Sequence, residues 1–304
     1  VNEDRFIACF WGTAIGDAYG APYEGGFLER LLWRILGKTR SGRLRYTDDT
    51  QMSLDTARSL LAIGGVDQQD LATRYAASYR WSRGYGISAA KTLRKIKNGA
   101  NWQEVNRLIH KEGSMGNGAA MRAPVVALFA FRGGSLEDIK GTKDSIAKVS
   151  EITHAHPLAI EGAYLIAAAV IVALKGASSE AIIAELKSLC ESDNYRDKLT
   201  LCQSLLLSPE ALSPKEVARR LGSGMLATES CVTAIYFALQ YLQADFDSLL
   251  NAVLKIRGDV DTIASMACAI WGASNGTAGL QDKALSVEGS EQIKALAVKL
   301  YSSY

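Results

Sequence analysis

The chain has 304 residues, 48% hydrophobic and 22% charged, with a formal net charge of +2, enough to bury a large core. So even a charge balance excludes the strong positive field expected of a nucleic-acid or anionic-membrane binder. Five cysteines, Cys9, Cys190, Cys202, Cys231 and Cys268, stand singly on apolar stretches with no CxxC pair; they read as buried thiols of a reducing compartment.

The opening residues, VNEDRFIACF, carry acids where a secretory leader would carry a basic region and a long apolar run, so no targeting segment is read there and a cytoplasmic protein is expected. A helical pattern begins near Arg5 and runs into GTAIGDAYGAPYEG, which sets Asp17 at a helix end and Glu24 in the loop behind it. Gly25 to Tyr46 begins amphipathic and ends in a basic, glycine-containing loop. Helical patterns then start near Gln51, Gln69 and Ser88, followed by the small polar segment Gly113 to Gly118, GSMGNG, and by patterns from Gly118 and Glu137. In PLAIEGAYLIAAAVIVALKG the residues Ile160, Ala163, Tyr164, Ala167 and Ile171 recur on one helical face. Its apolar part, Gly162 to Leu174, falls short of the roughly 18 to 20 residues of a bilayer span and reads as a core helix. Further patterns begin near Ser179, Thr228, Asp247, Asp261 and Gln292.

About a dozen helices follow, and no period-two β-branched run exceeds about four residues. With five prolines, no linker-like stretch and no fixed repeat, the expectation is one all-α domain over residues 1–304.

Chemistry concentrates in YTDDTQMSL, residues 46 to 54, where Asp48 and Asp49 stand side by side before a helix. Adjacent carboxylates repel and lose hydration if turned inward, unless positive charge sits between them. A solvated helix start with Thr47 as N-cap is the plainer reading. RGDVDTIASMACAIWGA repeats the pattern with Asp259, Asp261 and Thr262. Residues two apart diverge within a helix, so the two acids converge only if Asp259 lies in the entering turn, which Gly258 permits. Oxygen ligands without histidine or cysteine pairs suit Mg²⁺ or Mn²⁺. Glu24, Asp48, Asp49, Asp259 and Asp261 carry five negative charges between them, which two divalent cations would bring to about −1. Gly113 to Gly118 reads either as a helix-linking turn or as a cradle whose backbone N–H groups approach a pyrophosphate, with Gly118 opening a helix and Ser114 donating a further bond. THAHP holds two of the three histidines, His154 and His156.

Taken in order, GDAYGAPYEG, YTDDTQMSL, RGYG, GSMGNGAAMRAPVVAL, ITHAHP, ATESCVTAIY and GDVDTIASMACAIWGA resemble the ADP-ribosylglycohydrolases over nearly the whole chain. The resemblance implies a compact orthogonal multi-helix fold and two Mg²⁺ or Mn²⁺ ions held by Thr47, Asp48, Asp49, Asp259, Asp261 and Thr262. It implies ADP-ribose contacts from Gly113, Ser114, Met115, Gly116, Asn117, Gly118 and His154, with Tyr85 and Gly86 beside them. Glu24 falls where the family's serine-directed, poly(ADP-ribose)-degrading branch has a mobile glutamate, and is the candidate for acid or base work alongside Asp48, Asp49 and Asp261. RGYG, residues 83–86, lacks an aspartate often carried by arginine-directed members, so the chain looks closest to the serine-directed branch. Leu108, Ile109 and His110 stand where that branch stacks an aromatic ring on adenine, and Met115 replaces a tyrosine. The implied activity is release of ADP-ribose from an O-linked acceptor, with ADP-ribose or an ADP-ribosylated protein as partner, no nucleic acid or membrane, and a monomer expected. An arginine-directed hydrolase, a non-catalytic crystallin-like protein and a two-metal phosphohydrolase are the alternatives.

Overall fold

The computed structural model describes residues 1–303 apart from 134 and 211, with the side chains of 27–29, 34 and 136 also outside the description. The amphipathic stretch expected from Gly25 falls partly on those side chains. The described α-helices are α1 (Glu3–Gly20), α2 (Phe27–Leu36), α3 (Asp48–Ile63), α4 (Gln68–Ser78), α5 (Ile87–Lys97), α6 (Trp102–Ile109), α7 (Ala123–Ala130), α8 (Leu136–Glu151) and α9 (Pro157–Leu174). They continue with α10 (Ser179–Leu189), α11 (Asp193–Leu206), α12 (Pro214–Leu221), α13 (Ala227–Gln240), α14 (Phe246–Val253), α15 (Val260–Asn275), α16 (Gln281–Ser286) and α17 (Ser290–Ser302). No strand forms among the described residues; isolated bridges join Lys38 to Leu44, Leu44 to Val287 and Gly116 to Leu226.

The all-α expectation holds, and the helices beyond the expected dozen have local causes. Of these, α6, α12 and α16 are eight residues or fewer, too short for a periodic apolar face to stand out. Polar α11 is announced mainly by Ser192, whose hydroxyl accepts the Tyr195 N–H. The helix whose face is read in PLAIEGAYLIAAAVIVALKG begins at Pro157, where proline suits the first helical turn and the His156 ring caps it, Nδ1 accepting the Leu158 N–H at 3.1 Å. The resulting α9 is the one described helix long and apolar enough to cross a membrane by length and composition, yet most of it is buried inside the protein. It packs against α7, α8, α13 and α15.

At the centre, α1 and α15 lie backbone against backbone. Gly12, Gly16 and Gly20 recur every fourth residue and so form one stripe of α1. A Cβ on Gly12 would stand 2.2 Å from the Cys268 carbonyl oxygen, one on Gly16 2.3 Å from that of Ala264, and one on Gly20 2.4 Å from the Asp261 Cα. The end of α1 therefore presses on the first turn of α15, where the second acidic cluster sits. Around this pair α13 and α17 complete the core, and α3 leans its first turn on the end of α1.

Gly16→Ala should lower the thermal midpoint by about 5 °C or more, because the methyl has no space between two helix backbones. Gly141→Ala, in α8 with nothing within 4 Å of the added carbon, should raise it by about 1–3 °C by restricting the unfolded chain. Differential scanning calorimetry of the two variants checks both signs.

Candidate functional site

The end of α1 fixes the first acidic cluster through Asp17. Its fully buried carboxylate accepts the Thr47 N–H at 2.9 Å, the Thr50 N–H at 2.9 Å and the Thr50 hydroxyl at 2.5 Å. Asp17 thus ties down the first turn of α3, where its oxygens are occupied. Thr47 is the N-cap foreseen, its hydroxyl accepting the Asp49 N–H at 3.4 Å. Asp48 is half-buried; Asp49 is buried, with Oδ1 accepting the Thr262 hydroxyl at 3.4 Å and Oδ2 buried without a partner.

The second cluster has the geometry its spacing required. Gly258 adopts φ +97°, and Asp259 is the residue before α15 rather than part of it. A side chain at 258 would strike the Ser223 carbonyl oxygen, which accepts the Asp259 N–H at 2.9 Å. Released from the helix, Asp259 converges with Asp261, and carboxylate oxygens of Glu24, Asp259 and Asp261 lie within 4.8 Å of one another. Burial, followed by the charges of neighbouring acids, raises the carboxyls of Asp48, Asp49 and Asp261 well above the ordinary aspartate value; burial raises Asp259 too.

These residues fit a divalent cation. The donors are all oxygens, one buried carboxylate oxygen of Asp49 lacks a partner, and the cluster holds excess negative charge. Among the described residues, no lysine or arginine forms a salt bridge with Asp48, Asp49, Asp259 or Asp261.

The acids line a cleft of about 740 Å³, together with Gly84, Gly86, residues 110–118, His154 and Met225. Thr47 and Tyr85 are the two predicted residues that do not line it. Thr47 is buried beneath the start of α3, and Tyr85 packs edge-on against Tyr79 with ring centres 5.0 Å apart.

The glycine loop departs from its expected form. No α-helix opens at Gly118; residues Asn117–Arg122 form a 3-10 turn and α7 follows. Its glycines are needed first by the protein itself. Gly113 has φ +87°, and an added Cβ would stand 2.4 Å from the His156 nitrogen; at Gly118 it would stand 2.4 Å from His154 Cε1. Backbone bonds from Asn117 N–H to the Met225 carbonyl and from Ala227 N–H to the Met115 carbonyl, both 2.9 Å, fasten the loop to the entry of α13.

His154 is held by fully buried Arg122, which donates to the Gly118 and Val149 carbonyls and, at 3.0 Å, to the Thr153 hydroxyl oxygen. That hydroxyl lies 2.8 Å from His154 Nδ1. Accepting from arginine, it has its own proton to give to Nδ1, which leaves the neutral ring's proton on Nε2. Burial and then the Arg122 charge push the ring down to about 3, so His154 is a neutral hydrogen-bond donor rather than a base at neutral pH.

The sequence reading missed part of the wall: Ile87, Ser88 and Ala89 at the start of α5, with Lys111, Glu112 and Leu226. It also missed that four of the five methionines, Met52, Met115, Met121 and Met225, line this one cleft. They are too scattered along the chain for spacing to gather them.

The family model described as ADP-ribosylglycohydrolase matches residues 1–304. ADP-ribosylhydrolase ARH3 of Mus musculus is 32% identical over 98% of this chain and 91% of its own length; that of Homo sapiens is 31% identical over 98% and 93%. An uncharacterised protein of Archaeoglobus fulgidus is 29% identical over 98% and 96%. A solved structure of an ADP-ribosylglycohydrolase-related protein complex superposes with a TM-score of 0.70 over 99% of this chain and 98% of that one, at 23% identity, which attests the fold.

The raised carboxyls generate a linkage prediction. Between the ordinary aspartate value of about 4 and their raised values, the folded cation-free protein binds more protons than the unfolded chain, so their contribution to stability falls as pH rises. The increase in thermal midpoint given by saturating Mg²⁺ or Mn²⁺ should therefore grow from about pH 5 to about pH 8. His154, whose lowered value acts in the opposite direction below about pH 6.5, is common to both states and cancels. Asp49→Asn should shrink the increase by more than about half, since it removes one charge from the cluster. A pH-independent increase would contradict the assignment.

Proposed function

The chain belongs to the ADP-ribosylglycohydrolase family and is a glycohydrolase acting on ADP-ribose linkages; from that premise we propose that it releases ADP-ribose from an O-linked acceptor, such as ADP-ribosyl-serine, O-acetyl-ADP-ribose or poly(ADP-ribose), with two divalent cations, Mg²⁺ or Mn²⁺. The observation that carries this reading is the juxtaposition, in one cleft, of a buried carboxylate cluster and a glycine loop. Thr47, Asp48, Asp49, Asp259, Asp261 and Thr262 are the proposed cation holders. Bound there, the cations would offset the clustered charge and polarise water and the ribose hydroxyls.

The protein's own groups then divide the work. Within the loop the N–H groups of Gly113, Gly116 and Asn117 already bond to the His110 carbonyl, the Ser114 hydroxyl oxygen and the Met225 carbonyl; Ser114 and Met115 offer their N–H groups, and Ser114 its hydroxyl, to the pyrophosphate, and His154 offers its Nε2 proton beside it. As the bond from C1″ to the acceptor oxygen breaks, positive charge develops on the ribose ring and the nearby carboxylates stabilise it; the oxygen of a water molecule bonds to C1″, and the acceptor oxygen leaves with a proton. Glu24, with an oxygen within 4.8 Å of oxygens on Asp259 and Asp261, is the proposed proton-transfer group at the scissile bond.

Gly84 favours an oxygen acceptor. An added carbon there would stand 3.8 Å from Asp48 Oδ1, so residue 84 borders the acids yet has no carboxylate with which to meet a guanidinium. One observation favours an arginine-linked substrate instead: exposed Glu112 lines the same cleft. The five cysteines, all buried and unpaired, support a reducing, cytoplasmic setting. The proposed solution state is a monomer whose partner is ADP-ribose or an ADP-ribosylated protein.

Serine-, acetyl- and arginine-linked ADP-ribose, assayed with Mg²⁺ and with Mn²⁺, should yield free ADP-ribose from the first two and little from the third; efficient release from arginine alone would overturn the O-linked assignment. Glu24→Gln should lower kcat by about 100-fold or more while changing ADP-ribose affinity by less than about threefold, measured by product chromatography and calorimetry. Equal losses in both would overturn the proton-transfer role of Glu24.

A further inference from the structure

Asn117 belongs to two parts of the site at once. Its backbone is in the glycine loop, donating its N–H to the Met225 carbonyl at 2.9 Å. Its side chain reaches the acids: Nδ2 donates to Asp259 Oδ2 and, at 2.9 Å, to the Ser230 hydroxyl oxygen. The orientation is dictated, because only the NH₂ end of an amide can donate to a carboxylate. Ser230 gives its own proton to the Leu226 carbonyl at 3.0 Å and so faces Asn117 as an acceptor. Both Nδ2 protons are used, and the side chain is buried.

These bonds close a ring. Asp259 donates its N–H to the Ser223 carbonyl, the chain runs from Ser223 to Met225, Met225 accepts from Asn117, and Asn117 returns to Asp259 through its amide. The ring is tight at its Gly258 corner, where an added carbon would strike the Ser223 carbonyl oxygen at 2.0 Å. With Oδ2 tethered, the direction in which the Asp259 carboxylate faces Glu24 and Asp261 depends on where the glycine loop stands.

We propose that Asn117 is a positioning residue that couples the acids to the glycine loop, so that a divalent cation at the acids and ADP-ribose on the loop each tighten the binding of the other. The choice of ADP-ribose as the second ligand rests on the function proposed above; the link to the acids rests on the hydrogen bonds alone. Groups that orient a ligating carboxylate typically change metal affinity by about 10–100-fold when removed, and coupling between two binding sites is reciprocal. The amide does not touch the scissile bond in this account; it acts through Asp259.

Calorimetric titration of the full chain with Mn²⁺, and with ADP-ribose in the presence and absence of Mn²⁺, tests this in wild type, Asn117→Ala and Ser230→Ala. Asn117→Ala should weaken Mn²⁺ binding by about 10–100-fold and reduce the factor by which Mn²⁺ tightens ADP-ribose. Ser230→Ala keeps the bond to Asp259 and should stay within about threefold of wild type. A merely structural asparagine would lower the melting temperature of Asn117→Ala and leave both affinities of the folded protein unchanged, which would overturn the proposal, as would an equal loss in Ser230→Ala. If the wild type binds Mn²⁺ but no ADP-ribose, the proposed function falls and the coupling with it. Unchanged Mn²⁺ affinity in Asn117→Ala overturns this inference alone.

Discussion

Carboxylates of one sign, gathered where water is largely excluded, govern this structure. Asp49, Asp259 and Asp261 are 2%, 4% and 3% exposed, and Glu24 shares the cluster with the latter two. Each ionised member raises the cost of ionising the next, and burial raises it further. A fold that gathers acids in this way is destabilised at neutral pH unless positive charge enters, and none of the described salt bridges reaches Asp49, Asp259 or Asp261. Divalent cations bound there would relieve this constraint, and their binding would then be linked to folding.

Holding such a cluster together requires a rigid frame, and the frame comes from residues with almost no side chain. The glycine stripe of α1 lets it approach α15 until backbone meets backbone, so the first turn of α15 has no freedom to withdraw from the end of α1. Asp17, from that same end of α1, anchors the first turn of α3 by its two N–H groups and a hydroxyl. The two acidic clusters, 210 residues apart in sequence, are therefore both referenced to one helix. The glycine loop is fixed separately, by the His154 ring on one side and the entry of α13 on the other. Asn117 joins the two assemblies.

Local chemistry was legible in the sequence where one residue type has one common structural use. Thr47 caps α3, and Gly258 supplies the left-handed turn that frees Asp259 from α15; both follow from short-range geometry. The helical class was readable from periodicity, except where helices such as α6 and α16 are too short to show a period. Long-range facts were not legible. Asp17 could be seen as an acid near the others, but its work as an anchor for Thr47 and Thr50 depends on how α1 and α3 cross. The glycines of the loop read either as a turn or as space for a ligand, and spacing does not show that Gly113 and Gly118 make room for residues 154–156. The side chain of Asn117 could be assigned to the loop but not to Asp259, because a bond spanning 142 residues leaves no trace in spacing.

The central claim is that the buried carboxylates form a divalent-cation site in an ADP-ribose cleft. Its most direct test is a crystal structure of the protein with Mn²⁺ and ADP-ribose, with anomalous differences collected at the manganese edge. The account predicts anomalous peaks among Asp48, Asp49, Asp259 and Asp261, with the pyrophosphate against residues 113–117 and the distal ribose facing the peaks. An ordered ADP-ribose in the cleft with no anomalous peak among those aspartates would contradict it.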